Sequence, residues 1–147
     1  MYASIVVGTD GSDTAREAVR QATELAAAVG ARIELVSAYE PAPNAAPAHG
    51  ARLVSEGLEW SVRARDDVEA MLRAAADGIE AAGVPVATYA RQGDPADAIL
   101  DVAEERRADL VVIGNKGLTG AKRFLLGSVP NKVSHHAPCS VLIIRTT

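Results

Sequence analysis

Cysteine is nearly missing from this chain: Cys139 is the only one in 147 residues. An internal disulfide is thereby excluded, and a reducing, cytoplasmic setting is expected. Cys139 stands in "HAPCSVLII", at the threshold of an apolar strand, where a buried and inert thiol is expected. No apolar run approaches the ~18 residues of a membrane span, so no membrane partner is expected. The opening "MYASIVVGTDGS" carries no basic leader, and no secretory signal is read there. Excess positive charge is absent as well. Against 19 Asp and Glu stand 15 Lys and Arg, a net charge of −4, which argues against a nucleic-acid partner. Lys116, Lys122, Arg123 and Lys132 do lie close in sequence. They leave a small anionic ligand open, with a solvated face as the alternative.

What is present is an ordinary globular balance, 48% hydrophobic and 23% charged, in a length that suits one domain over residues 1–147. "SIVVG" (Ser4–Gly8) reads as a buried strand broken by "TDGS". Ala15, Ala18, Val19, Ala22, Leu25, Ala26 and Val29 then recur at helical spacing, with Ser12 or Asp13 as cap and Gly30 as stop. "RIELVSAY" (Arg32–Tyr39) is a second strand, which completes a β-α-β unit. "EPAPNAAPAHGA" is an aperiodic loop, and a helix begins somewhere between Leu53 and Trp60. Its stripe is Val68, Met71, Leu72, Ala75, Ile79 and Ala82, and Gly83 stops it.

Strand three is read over Val84–Ala90. Asp94 caps the next helix, with Pro95 at its first position and Asp97 favourable to the dipole. "DLVVIG" (Asp109–Gly114) is so uniformly apolar that both sheet faces must be covered. A short helix over Ser128–His136, capped by Ser128, precedes a last strand over Cys139–Thr146. The alternation is that of a doubly wound α/β domain.

In such domains ligands bind beyond the carboxyl ends of the strands, where the winding reverses. Two special turns occupy strand ends of that kind: "GTDGS" (Gly8–Ser12) and "GNKG" (Gly114–Gly117). If the first and fourth strands are neighbours, both turns face one crevice. The second suits phosphate, because amides of a glycine turn converge on an anion with no Cβ in the way. Gly127-Ser128 then offers a helix N-terminus, whose unpaired N–H groups favour negative charge. Purely steric turns are the alternative for these glycines. The phosphate-loop pattern G-x-x-x-x-G-K-[ST], the dinucleotide pattern G-x-G-x-x-G, the nucleophile elbow G-x-S-x-G and zinc-type His/Cys spacings are all missing.

The spacing Gly114-x2-Gly117-x9-Gly127-Ser128 resembles the nucleotide-binding signature of the universal stress protein family, G-x2-G-x9-G-[ST]. The resemblance extends over "SIVVGTDGS", "ADLVVIGNKG" and "RFLLGSVPNKVSHHAPCSVLII", that is, over essentially the whole chain. It implies a Rossmann-like three-layer sandwich, related to the adenine nucleotide hydrolases, with a five-stranded parallel sheet in the order 3-2-1-4-5. It also implies an adenine nucleotide in the crevice, ATP first and cyclic AMP as competitor, with Mg²⁺ accompanying ATP.

By matching positions, Gly114, Gly117, Gly127 and Ser128, with Val129 beside them, would cradle ribose and phosphates. Thr9 and Asp10 would line the adenosine end. Ser37 or Ala38 would meet the adenine edge through backbone groups, and Gly93 would let the turn after strand three approach. Asn115 and Lys116 could add a phosphate contact from within the turn, a solvated lysine being the alternative.

No catalytic residue is assigned. His135 and His136 at a helix C-terminus suit dipole compensation better than catalysis, and Trp60 and Tyr39 are read as packing residues. The last strand, Ser140–Thr146, would be an apolar sheet edge, and the family's habit implies a homodimer through it. The expected role is a stress-response sensor or nucleotide buffer. Slow ATP hydrolysis and a dimeric interaction module without nucleotide function are the alternatives.

Overall fold

A computed structural model of the chain describes residues 1–40, 51–115 and 126–146, with 51–64 described by backbone alone. Along the sequence come β1 (Ser4–Gly8), α1 (Asp13–Val29), β2 (Arg32–Tyr39), α2 (Ala51–Ala81) and β3 (Val86–Gln92). They are followed by α3 (Pro95–Glu105), β4 (Leu110–Gly114), α4 (Ser128–His136) and β5 (Ser140–Ile144). The five strands form one sheet in the order β3-β2-β1-β4-β5, and every neighbouring pair is parallel. Winding runs from β1 outward to β3, then returns to β4 and β5, so the reversal falls between β1 and β4.

Every residue of β1 and β4 is buried, because helices cover both faces of the centre of the sheet. On one face Ile5, Val7, Leu35 and Val112 pack against Ala22 of α1 and Leu72 of α2. On the other, Val6, Val36 and Val111 meet Ile99 and Val102 of α3 and Val133 of α4. Each fully buried aliphatic side chain contributes on the order of 1.5–3 kcal/mol, so these two layers hold the architecture and the turns are freed for other work. Helix α1 starts where Ser12 accepts from the Ala15 amide and ends at Gly30, left-handed at φ 74°. Helix α3 starts where Asp94 accepts from the Asp97 amide, with Pro95 behind it.

Several boundaries differ from the sequence reading. Helix α2 begins at Ala51, ahead of the Leu53–Trp60 interval. Strand β3 occupies Val86–Gln92 in place of Val84–Ala90. Pro85 has no N–H to donate and only its carbonyl joins, accepting from Ile33 at 2.8 Å, while pairing continues as far as Tyr39 with Gln92. The α4 cap moves too. Gly127 is the N-cap and has no side chain to cap with, so Ser128 is already helical. The last strand is shorter than expected, Ser140–Ile144.

Toward the amino ends of the strands, charges close the sheet. Glu34 is 1% exposed on β2, with Arg32 Nε 2.7 Å and Arg106 Nε 3.6 Å from its carboxylate. The Tyr89 hydroxyl donates to the same group at 2.8 Å. Burial, and then that hydrogen bond, push the Tyr89 phenol above its ordinary pKa. Nearby, one Asp109 carboxylate oxygen accepts from the Ala3 and Ser4 amides at 2.8 and 3.0 Å. These amide bonds hold the Asp109 carboxyl below the usual carboxylate range.

Candidate functional site

At the carboxyl ends of the strands, the turn from β1 to α1 is shaped by its own short polar side chains. Thr9 Oγ1 accepts from the Gly11 amide at 3.1 Å, and Asp10 Oδ1 accepts from the Ser12 amide at 2.9 Å and from its hydroxyl. Gly11 takes a positive φ of 78°, which an L side chain rarely adopts. The Thr9 amide donates to the Val36 carbonyl at 2.9 Å, which ties this turn to the tip of β2.

The turn after β4 is anchored at its first residue. The Asn115 amide donates to Ile144 O at 2.9 Å, and the Gly127 amide returns to Asn115 O at 3.1 Å. Asn115 Oδ1 is engaged as well, accepting from the Thr146 amide and hydroxyl, both at 2.9 Å. Asn115 therefore holds the chain end beside the β4 tip, and a phosphate contact from it would come through its other side-chain atom. On the face that α3 and α4 share, Lys132 of α4 reaches Asp97 at 2.8 Å and Asp94 at 3.4 Å, which binds the start of α3 to α4. The Asp97 amide, more than this lysine, keeps the Asp94 carboxyl below its ordinary pKa.

Between the two turns lies a cavity of about 230 Å³. Gly8, Thr9, Asp10 and Gly114 form its rim at the strand tips, with Val36, Ser37 and Ala38 from β2. Ala15, Val68 and Met71 close it on the α1–α2 side, and Pro95, Ile99, Ile113 and Val129 on the α3–α4 side. The lining is chiefly aliphatic, with three polar residues among it, the usual character of a small-molecule site. Ser37 is 5% exposed and lines the cavity, where its hydroxyl can both donate and accept a hydrogen bond.

Of the residues singled out from sequence, the structure brings Thr9, Asp10, Ser37, Ala38, Gly114 and Val129 together on this cavity. Gly93, Asn115, Gly127 and Ser128 stand outside its lining. Gly93 has φ 114° and donates to Tyr39 O at 3.0 Å, so its glycine serves the backbone of the β3–α3 turn. Lys116 and Gly117, like Lys122 and Arg123, lie outside the described residues, as does the Trp60 side chain.

Val68 and Met71 were read as core stripe, and the sequence gives no sign that they also face a cavity. Met71 lies against the β1–α1 turn, its Cγ 3.0 Å from where a Cβ on Gly11 would stand. Tyr39 packs under the Arg65 guanidinium, 6.0 Å from the ring centre. His135 and His136 occupy the last turn of α4, away from the lining. Cys139 is partly buried, and burial raises its thiol pKa, as befits an inert side chain. Among the described residues no group of three or more His, Cys, Asp or Glu is gathered for a metal. No helix there is long and apolar enough to cross a membrane.

A doubly wound parallel sheet with an open cavity at its switch point belongs to the α/β proteins that take ligands beyond the carboxyl strand ends. Comparison with known proteins narrows that class. The model of the universal stress protein family matches residues 1–145, and the chain belongs to that family. It is 37% identical to the universal stress protein Rv1636 of Mycobacterium tuberculosis, over 99% of this chain and 98% of that one. It is 35% identical to the universal stress protein MJ0531 of Methanocaldococcus jannaschii, over 99% of this chain and 83% of that one. A universal stress protein crystallised in complex with cAMP superposes with TM-score 0.75 at 35% identity, covering 99% of this chain and 98% of the other.

Proposed function

We propose that this universal stress protein binds an adenine nucleotide in the crevice at its switch point, as a stress-response sensor or nucleotide buffer. The cavity between the β1 and β4 tips carries the reading. A relative of 35% identity crystallised with cAMP supports it.

The residues present suit such a ligand. Val36, Ile99, Ile113 and Met71 offer apolar surface to a flat heterocycle, and Thr9, Asp10 and Ser37 offer hydrogen bonds to a sugar or base edge. Ala38 would present backbone groups to the base, and Gly93 would shape the neighbouring turn. Gly114, Asn115, Lys116, Gly117, Gly127, Ser128 and Val129 would hold the phosphates, the α4 N-terminus adding its unpaired amides. Mg²⁺ would arrive on the phosphates of ATP. The bound nucleotide supplies a readable charge and shape, and these residues supply selection and retention.

The edge strand β5, with Leu142 39% exposed, would join two copies into a homodimer of cytoplasmic protein. Calorimetric titration with ATP, ADP, AMP and cyclic AMP should give micromolar binding to at least one. Absence of binding to all four at millimolar concentration overturns the reading. Sedimentation at tens of micromolar should report a dimer, and a monomer there would remove the β5 interface.

A further inference from the structure

Ile99, on the second turn of α3, is 3% exposed and yet lines the cavity. Its position depends on what stands at residue 8. A Cβ built on Gly8 would fall 2.5 Å from Ile99 Cδ1 and 3.1 Å from Cγ1. Real Cβ atoms essentially never come within 3.0 Å of a neighbour, so Ile99 fills space that any other residue at position 8 would claim. Gly8 is not among the positive-φ glycines, so this glycine serves a close approach and not an unusual backbone.

The pair lies on the α3–α4 side of the sheet, where Ile99 packs with Val6, Val36 and Ile113. The first turn of α4 reaches the same cavity through Val129. A nucleotide whose phosphates meet the α4 N-terminus would therefore lay its base among Val36, Ile99 and Ile113. We propose that Ile99, seated on the bare Gly8 backbone, sets the size of the base that the crevice admits. The proposal rests on the nucleotide reading above and adds to it a residue that selects by dimension. Shortening Ile99 enlarges the base side of the cavity. A methyl group at position 8 obliges the Ile99 Cδ1 methyl, the free end of that side chain, to shift, and so reshapes the base side of the cavity.

The test is titration of the full chain with ATP, cyclic AMP and the N6-benzyl and 8-bromo derivatives of each. The wild type is expected to prefer at least one parent nucleotide over its derivatives by tenfold or more. Ile99→Ala should shrink that preference at least tenfold for one derivative, and Ile99→Val should shrink it partway. Gly8→Ala should weaken parent binding tenfold or more, and the double variant Gly8→Ala/Ile99→Ala should recover most of it. Thermal melts establish that each variant is folded, and Ile99→Val carries the test if Ile99→Ala is not. A wild type that binds derivatives as well as parents overturns the size filter alone. So does a preference unchanged in the folded position-99 variant, or a double variant no better than Gly8→Ala. A wild type that binds neither parent overturns the nucleotide reading, and the size filter with it.

Discussion

Toward the amino ends of the strands, polar groups of this sheet answer one another. Glu34 is met by Arg32, Arg106 and Tyr89, and Asp109 takes the first two amides of the sheet. Only the Ser4 hydroxyl is left over among the described residues there. At the carboxyl ends the same strands and their turns set Thr9, Asp10 and Ser37 around a cavity. One end turns its polar chemistry inward on stability, and the other places it at the wall of an open cavity. A parallel sheet allows this division because all its strand tips of one kind lie together.

Glu34→Ala should separate the two ends most sharply. Removing a buried carboxylate strands the Tyr89 hydroxyl and two guanidinium groups. A loss of about 2–3 kcal/mol is expected, near the low end for a broken buried pair because both arginines are over 40% exposed. Urea denaturation measures it, and nucleotide affinity of the folded variant should stay unchanged. Asp94→Ala, which removes the α3 cap, should cost about 1 kcal/mol. The melting temperature should fall by about 2–4 °C, and an unchanged melt would show that Lys132 and Pro95 hold the helix start without it.

Ser37→Ala should invert the pattern. Stability is expected to hold within about 0.5 kcal/mol, since the change removes a single atom at the wall of a cavity. Nucleotide affinity should drop severalfold by calorimetry, and a large fall in stability would contradict the division drawn above. The smallest effect concerns acid. The Asp109 carboxyl is held below its unfolded value of about 4. Its contribution is therefore complete above that pH and disappears as pH falls through the lower folded value. The stability gap between wild type and Asp109→Asn should shrink between pH 5 and pH 3, and a constant gap would remove the carboxylate from the acid response.

The elements were legible in the residues because caps and periodicity agreed: Ser12, Gly30, Asp94 and Pro95 all stand where the chain turns. Strand order came from the family resemblance and not from any local pattern. The end of β3 was missed because apolar content stops at Ala90. Arg91 and Gln92 continue the ladder regardless, Arg91 being neutralised by Glu105 of α3 at 2.6 Å. Glu34 was passed over as a member of an apolar strand, since two of its three partners, Tyr89 and Arg106, come from β3 and from the end of α3. Six of the fourteen residues that line the cavity were named in advance, chiefly where turns and strand tips carry glycine or short polar residues. Its α2 wall was not, because core-facing and cavity-facing positions share one helical period.

The Asn115–Gly127 hydrogen bond has an engineering consequence. Because the link runs main chain to main chain, side chains at either end can be exchanged while the start of α4 stays fastened to the tip of β4.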